Sequence, residues 1–262
     1  MANTDLVIER YELKYRLPPA LAPRVRQAIL PFCRPDSASA RGAYMISSLY
    51  LETPRHDFYH QTRDEEARRF KLRIRRYTTG PYFIECKRRY KDVISKIRVA
   101  VPADAYPDVI LSPGGTKWAR TERDRANLEE FIRRMRTWGA EPTCVVRYAR
   151  EAFVSEVDDY GRVTFDYELC GRHTTSWHVP MNEPGWTPVD SGLRFAMPFS
   201  GVVLELKCTT AVPLWMSDIV HRFGLIRTGF SKFCAIMEST VPGVKDLGGM
   251  REPAHWLMRR PR

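Results

Sequence analysis

The chain has 262 residues, 44% of them hydrophobic and 11% aromatic, which excludes a disordered polypeptide and is enough to build a core without metals or disulfides. Lysine and arginine total 42 against 31 aspartate and glutamate, a formal net charge of +11 that favours a polyanionic partner without choosing among nucleic acid, anionic lipid, nucleotides and condensed phosphate. The six cysteines stand singly with no zinc spacing, and no run of about 18 apolar residues offers a transmembrane helix.

Residues 1–10 carry Asp5, Glu9 and Arg10 where a signal peptide would be apolar, so a cytoplasmic protein with reduced thiols is expected. From Arg10 to Leu17 charged and apolar residues alternate, which predicts a strand with Arg10, Glu12, Lys14 and Arg16 on one face. Pro18 to Phe32 then fits an amphipathic helix, with Leu21, Val25, Ala28 and Ile29 on one side. Pro35–Gly42 reads as a loop. The alternation returns in three segments: Lys71, Arg73 and Arg75 share a face, as do Glu85 with Lys87 and Lys96 with Arg98. Pro113-Gly114-Gly115 marks a loop, and Glu122 to Trp138 a helix with Leu128, Phe131, Ile132 and Met135 as its apolar stripe. Further strands place Arg162, Thr164 and Asp166 together, then Glu205 and Lys207, with Asn182–Gly192 as a loop before the latter. Pro213 to Phe223 predicts a third helix, and Lys232 follows in an aromatic frame. Trp118, Trp138 and Trp215 are expected in the core. With no repeat or linker, residues 1–262 read as one domain ending in a basic tail from Gly248 to Arg262.

One such strand would be an ordinary half-exposed strand. Repetition changes the reading, because like charges opposite one another on neighbouring strands destabilise a sheet. Closing the sheet into a barrel with the charged face inward, around an anion, accounts for the pattern and leaves the apolar face to pack on outer helices. A nucleic-acid binder would instead show a basic surface patch with exposed aromatics, so no nucleic acid is expected.

The ordered elements Arg10-x-Glu12-x-Lys14-Tyr15, Tyr50-Leu51-Glu52-Thr53-Pro54, Lys71-x-Arg73-x-Arg75, Glu85-x-Lys87, Tyr148-x-Arg150-x-Ala152-Phe153, Arg162-x-Thr164-x-Asp166, Glu205-x-Lys207 and Phe230-Ser231-Lys232-Phe233 span about Glu9 to Ala235. Together they resemble the VTC (vacuolar transporter chaperone) polyphosphate polymerase domain of the triphosphate tunnel metalloenzyme, or CYTH-like, superfamily. Arg10 stands where the CYTH-type triphosphatases and adenylate cyclases open with a first Glu, as is usual in the VTC-like branch.

The resemblance implies an α+β fold, an eight-stranded antiparallel β-barrel tunnel with a charged lumen and flanking helices. It also implies a divalent metal, Mn²⁺ or Mg²⁺, and transfer of the γ-phosphoryl group of ATP to a growing polyphosphate chain. Inorganic triphosphatase or nucleoside triphosphatase activity, or polyphosphate binding without turnover, are the alternatives. Carried over by position, phosphate-binding residues are Lys14, Arg73, Arg75, Lys87, Lys96, Arg98, Arg150, Arg162, Lys207 and Lys232. Lys14, Arg73, Arg75, Lys87 and Glu205 form the catalytic set, with Glu205 as the metal carboxylate and Glu12 and Glu85 beside it. The family motif selects Arg150, whereas charge alternation selects Arg147; a bulge would reconcile them. Arginine offers bidentate clamps and lysine point charges for successive phosphates, and Mg²⁺ takes one or two carboxylates plus phosphate oxygens.

Overall fold

A computed structural model describes residues 11–91, 93–190, 201–209 and 211–244. Arg10 and the basic tail lie outside them. In chain order the first half runs β1 (Tyr11–Leu17), α1 (Ala22–Ile29), β2 (Cys33–Pro35), β3 (Tyr44–Glu52), α2 (Asp57–Arg63), β4 (Arg68–Tyr77), β5 (Tyr82–Tyr90) and β6 (Val93–Val101). It continues with α3 (Asp108–Leu111), a 3-10 turn (Gly115–Trp118), α4 (Glu122–Thr137), β7 (Glu141–Ser155) and β8 (Gly161–His173). The chain closes with β9 (Thr187–Pro188), β10 (Val202–Cys208), α5 (Leu214–Arg222) and α6 (Lys232–Thr240). The three expected helices are present, each shorter at one or both ends than its apolar pattern.

Eight strands form one antiparallel sheet in the order β1-β10-β8-β7-β3-β4-β5-β6, with β2 on β7 and β9 on β8. The sheet curls until its ends approach. Among the described residues β6 and β1 form no ladder, and Lys87 on β5 reaches Glu12 on β1 at 3.2 Å. Period-two alternation decides what each face meets. The outer positions Leu72, Ile74, Ile84, Cys86 and Val99 are buried under Val109 and Ile110 of α3 and Leu128 and Phe131 of α4. On the other flank Leu17, Leu204, Leu206 and Phe165 are covered by Val25 and Ile29 of α1 and Trp215, Met216 and Ile219 of α5. Trp215 joins this core and stacks on Phe32, but Trp118 and Trp138 are about two-fifths exposed. They sit at helix ends, where Trp138 packs against Phe58 and Phe70 at the rim of the core and keeps the rest of its ring in solvent.

The inner face is charged only in part. Helix α6 lies against β7 and β8 on that side, where Phe233, Ile236 and Met237 meet Ile46, Cys144, Val146 and Leu169. The Ser231 side chain caps α6 by accepting from the Cys234 N–H, so the aromatic frame around Lys232 is a helix start.

Between Arg147 and Ala149 the β7–β8 register shifts, and the extra residue lies on β8, where Glu168 adopts φ 54°. Parity along β7 is therefore unbroken. Tyr148 and Arg150 point inward, while Arg147 points outward, donating to the Met181 carbonyl and lying 4.3 Å over the Trp186 ring. On β8 the same bulge lets Arg162, Thr164 and Asp166 face the lumen and, past it, Leu169 and Gly171 face α6.

Candidate functional site

The lumen is built in rungs, because antiparallel register sets inward residues of neighbouring strands side by side. Lys71, Lys87 and Lys96 make one rung across β4, β5 and β6, and Arg73, Glu85 and Arg98 the next. Facing them, Glu12, Lys207 and Arg162 align across β1, β10 and β8, followed by Lys14, Glu205 and Thr164. The phosphate-binding cations and metal carboxylates carried over from the resemblance, Arg150 and Lys232 included, reach this inner face, whereas Arg10 lies outside the described residues and Arg147 points outward.

Glu85 is fully buried and surrounded by cations. One oxygen lies 2.6 Å from Arg73 and 3.9 Å from Arg75, the other 2.5 Å from Lys96 and 3.3 Å from Arg98. Burial alone would raise its pKa, but Arg73, Arg75 and Lys96 outweigh it and hold the carboxyl well below the usual range. Arg73 also donates to the Tyr50 hydroxyl, and Arg75 to Ser48 and Tyr148.

The opposite side holds Glu12, Glu205 and Asp166. Glu205 lies 3.0 Å from Lys207, 3.2 Å from Lys232, 3.5 Å from Arg150 and 3.9 Å from Lys14. Desolvation opposes its charge, yet Lys207, Lys232, Lys14 and Arg150 keep it ionised. Glu12 sits 3.1 Å from Lys14. Asp166 takes a bidentate grip from Arg150 at 2.6 and 2.7 Å and approaches Lys232 at 2.5 Å. Arg162 stands apart at the periphery, 2.7 Å from Asp36.

The lumen also contains residues outside the expected set. Lys71 donates to the Ser231 hydroxyl and lies 5.2 Å over the Phe233 ring. Burial, reinforced by Lys14, Arg73 and Arg69 and only partly offset by Cys234, lowers it to about 8. Lys71 and Asp166 were legible in the alternation, and Tyr148 in the parity of β7. Asp36 had no signal, because a loop brings it in.

The carboxylates differ in their fitness for a divalent metal. Glu205 and Glu12 are ionised oxygen donors on adjacent strands that share Lys14, and Thr164, opposite Glu205, keeps a buried hydroxyl without a hydrogen-bond partner. That set fits an ion taking two carboxylates with phosphate oxygens completing its shell. Among the described residues no group of three or more His, Cys, Asp or Glu forms a ready-made cage. Glu85 differs in that Arg73, Arg75, Lys96 and Arg98, the cations that reach its oxygens, hold no second carboxylate among the described ion pairs, whereas Lys14 joins Glu205 to Glu12.

The VTC domain profile matches residues 9–241, which carry this sheet and its charged rungs. The chain belongs to the VTC domain family. This VTC chain is similar in structure to the PH1819 protein from Pyrococcus horikoshii OT3, with 14% identity over 88% of this chain and 99% of that one, TM-score 0.46. It is similar to a putative adenylate cyclase from Vibrio parahaemolyticus, with 13% identity over 86% and 95%, TM-score 0.42. A third similar structure is a putative adenylyl cyclase from Hippeastrum described as having a dominant triphosphatase activity, with 16% identity over 88% and 96%, TM-score 0.47. No curated protein matches the VTC chain. Among the described residues no helix of this VTC chain is long and apolar enough to cross a membrane.

Proposed function

We propose that this VTC chain is a cytoplasmic, ATP-dependent polyphosphate polymerase, with residues 1–262 acting as one unit. The observation that carries the reading is the division of the lumen. Cations crowd around the single carboxylate of Glu85 on β4, β5 and β6, while Glu12, Glu205 and Asp166 face them from β1, β10 and β8. A pure anion binder uses a carboxylate only to position cations, as Glu85 does, whereas phosphoryl transfer with a divalent metal needs a pair such as Glu12 and Glu205 to hold the ion.

In this reading Arg73, Arg75, Lys96 and Arg98 hold the phosphates along one side, and Lys14, Arg150, Lys207 and Lys232 along the other. Fixing both reactants supplies the in-line geometry that makes the transfer effectively unimolecular. The terminal phosphate oxygen of the chain attacks the γ-phosphorus of ATP, the bond from that phosphorus to the β–γ bridging oxygen breaks, and ADP leaves with the bond's electrons. The attacking oxygen is already ionised, so no protein base is required. Glu205 and Glu12 would hold Mg²⁺ or Mn²⁺, which neutralises charge on the transferring group. Lys87, on the rung of Lys71 and Lys96 and 3.2 Å from Glu12, would join the phosphate-holding set, while Arg162, held by Asp36, would guide rather than react.

Incubation with ATP and Mn²⁺ or Mg²⁺, assayed for polyphosphate and free phosphate together beside Glu205→Gln, tests this. Polyphosphate formed by the natural chain and lost in the variant is the expected result. Free phosphate alone would move the assignment to triphosphatase, and tight triphosphate binding without turnover to a binding module.

A further inference from the structure

The cationic face of β4 and β5 does not stop at the rung of Lys71 and Lys87. Arg69 and Arg89 stand directly opposite one another in register, on the same face, one rung further toward the Tyr90–Val93 turn. Two residues along a strand place this rung roughly 7 Å beyond the lysines. Like charges so placed repel, and both side chains are half-buried. Each guanidinium is turned onto a backbone carbonyl, Arg69 to Glu66 and Arg89 to Lys91 at 2.7 Å. Arg68 and Lys91 add positive charge at the same turn, both stacked on Tyr90.

We propose that Arg69 and Arg89 form an outer anion-binding rung that holds the condensed-phosphate chain where it passes the lumen mouth. The proposal rests on the reading of the lumen as a polyphosphate site and adds a direction: the chain threads past the Tyr90–Val93 turn. A triphosphate seated on the inner rungs does not need this rung; a long chain does. The chemistry favours condensed phosphate over nucleic acid, because the exposed Tyr90 ring pairs with Arg68 and by strand alternation lies on the opposite face from Arg69 and Arg89, which leaves no aromatic platform on the rung itself.

Binding of tripolyphosphate and of long-chain polyphosphate is measured by calorimetry on the natural chain, on Arg69→Gln/Arg89→Gln, and on Arg69→Lys/Arg89→Lys. The expected result is a preference of the natural chain for the long polymer. The glutamine pair loses about tenfold in long-chain affinity per arginine and far less for tripolyphosphate, and the lysine pair retains most of the preference. Ile94, opposite Arg89 on β6, supplies an independent variant should the double one unfold: Ile94→Glu presents a carboxylate to the arginines and selectively weakens the long chain. Equal loss for both ligands, no loss for either, or displacement by single-stranded RNA as effective as by polyphosphate would overturn the rung. Failure of the natural chain to bind tripolyphosphate at all would instead sink the reading of the lumen beneath it.

Discussion

Glu85 illustrates how much one carboxylate decides at the scale of the residue. Four cations converge on it from β4 and β6, and none of it is exposed. Here Glu85 stores the positions of those cations, so that the guanidinium and ammonium groups are arranged before any anion arrives. Removing one partner from a buried ionic set leaves the rest uncompensated, at a cost of about 3–5 kcal/mol, reduced here because Lys96 and Arg98 reach solvent. Glu85→Gln should therefore lower stability in urea unfolding by about 2–3 kcal/mol, with much of the loss recovered in tripolyphosphate, which replaces the missing negative charge. Unchanged stability would remove the organising role.

Among the elements, α6 and the β8 bulge shape the site more than any single strand. The bulge at Glu168 turns Leu169 and Gly171 toward α6 after Asp166 has faced the charged lumen, so one strand serves both a polar and an apolar half of the inner face. Gly171 is required by proximity. A Cβ there would meet the Ile236 side chain at 2.5 Å and the Val145 carbonyl oxygen at 2.7 Å, and the carbonyl belongs to the ladder and cannot retreat. Gly171→Ala should destabilise by about 1–3 kcal/mol and displace α6, and with it Ser231 and Lys232. The check is a thermal melt beside the tripolyphosphate affinity. A variant with native stability would mean the helix has more freedom than its packing indicates.

For the whole molecule, the sum of lumen charge makes stability depend on ligand and pH. Tripolyphosphate at a hundred times its dissociation constant should add about 2.7 kcal/mol, a shift of roughly 5–10 °C for a chain of this size. Lys71, Lys87 and Lys96 fix the sign of the pH effect. In the free protein burial is the chief cause that holds them down, Lys71 and Lys87 at about 8 and Lys96 at about 7. A bound polyanion favours their charged forms. Binding above pH 7 should therefore take up protons, and affinity should fall as pH rises through 7 to 8. Calorimetry in two buffers of different ionisation enthalpy measures the uptake; proton release, or none, would contradict the assignment.

What the sequence determined by itself was the sheet and its sidedness. Alternation is local, and side chains two apart on a strand must share a face, so the inward strand residues from Glu12 to Lys207, Arg150 apart, were readable before any tertiary contact was known. The apolar stripes of α1, α4 and α5 were legible for the same reason, with error confined to ends such as Trp138, where helical periodicity says nothing of how far the covering sheet extends. Three things needed the fold. Arg150 rather than Arg147 faces inward because the extra residue falls on β8, a choice made by pairing between strands rather than by either strand's pattern. Glu85 holds cations and Glu205 stands across the lumen because curling sets their distances to partners far apart in the chain. Helix α6 occupies the inner face because Phe233, Ile236 and Met237 find apolar partners there on β3, β7 and β8. Pattern along a chain fixes direction, but only packing fixes neighbours, and charge acquires its chemistry from neighbours.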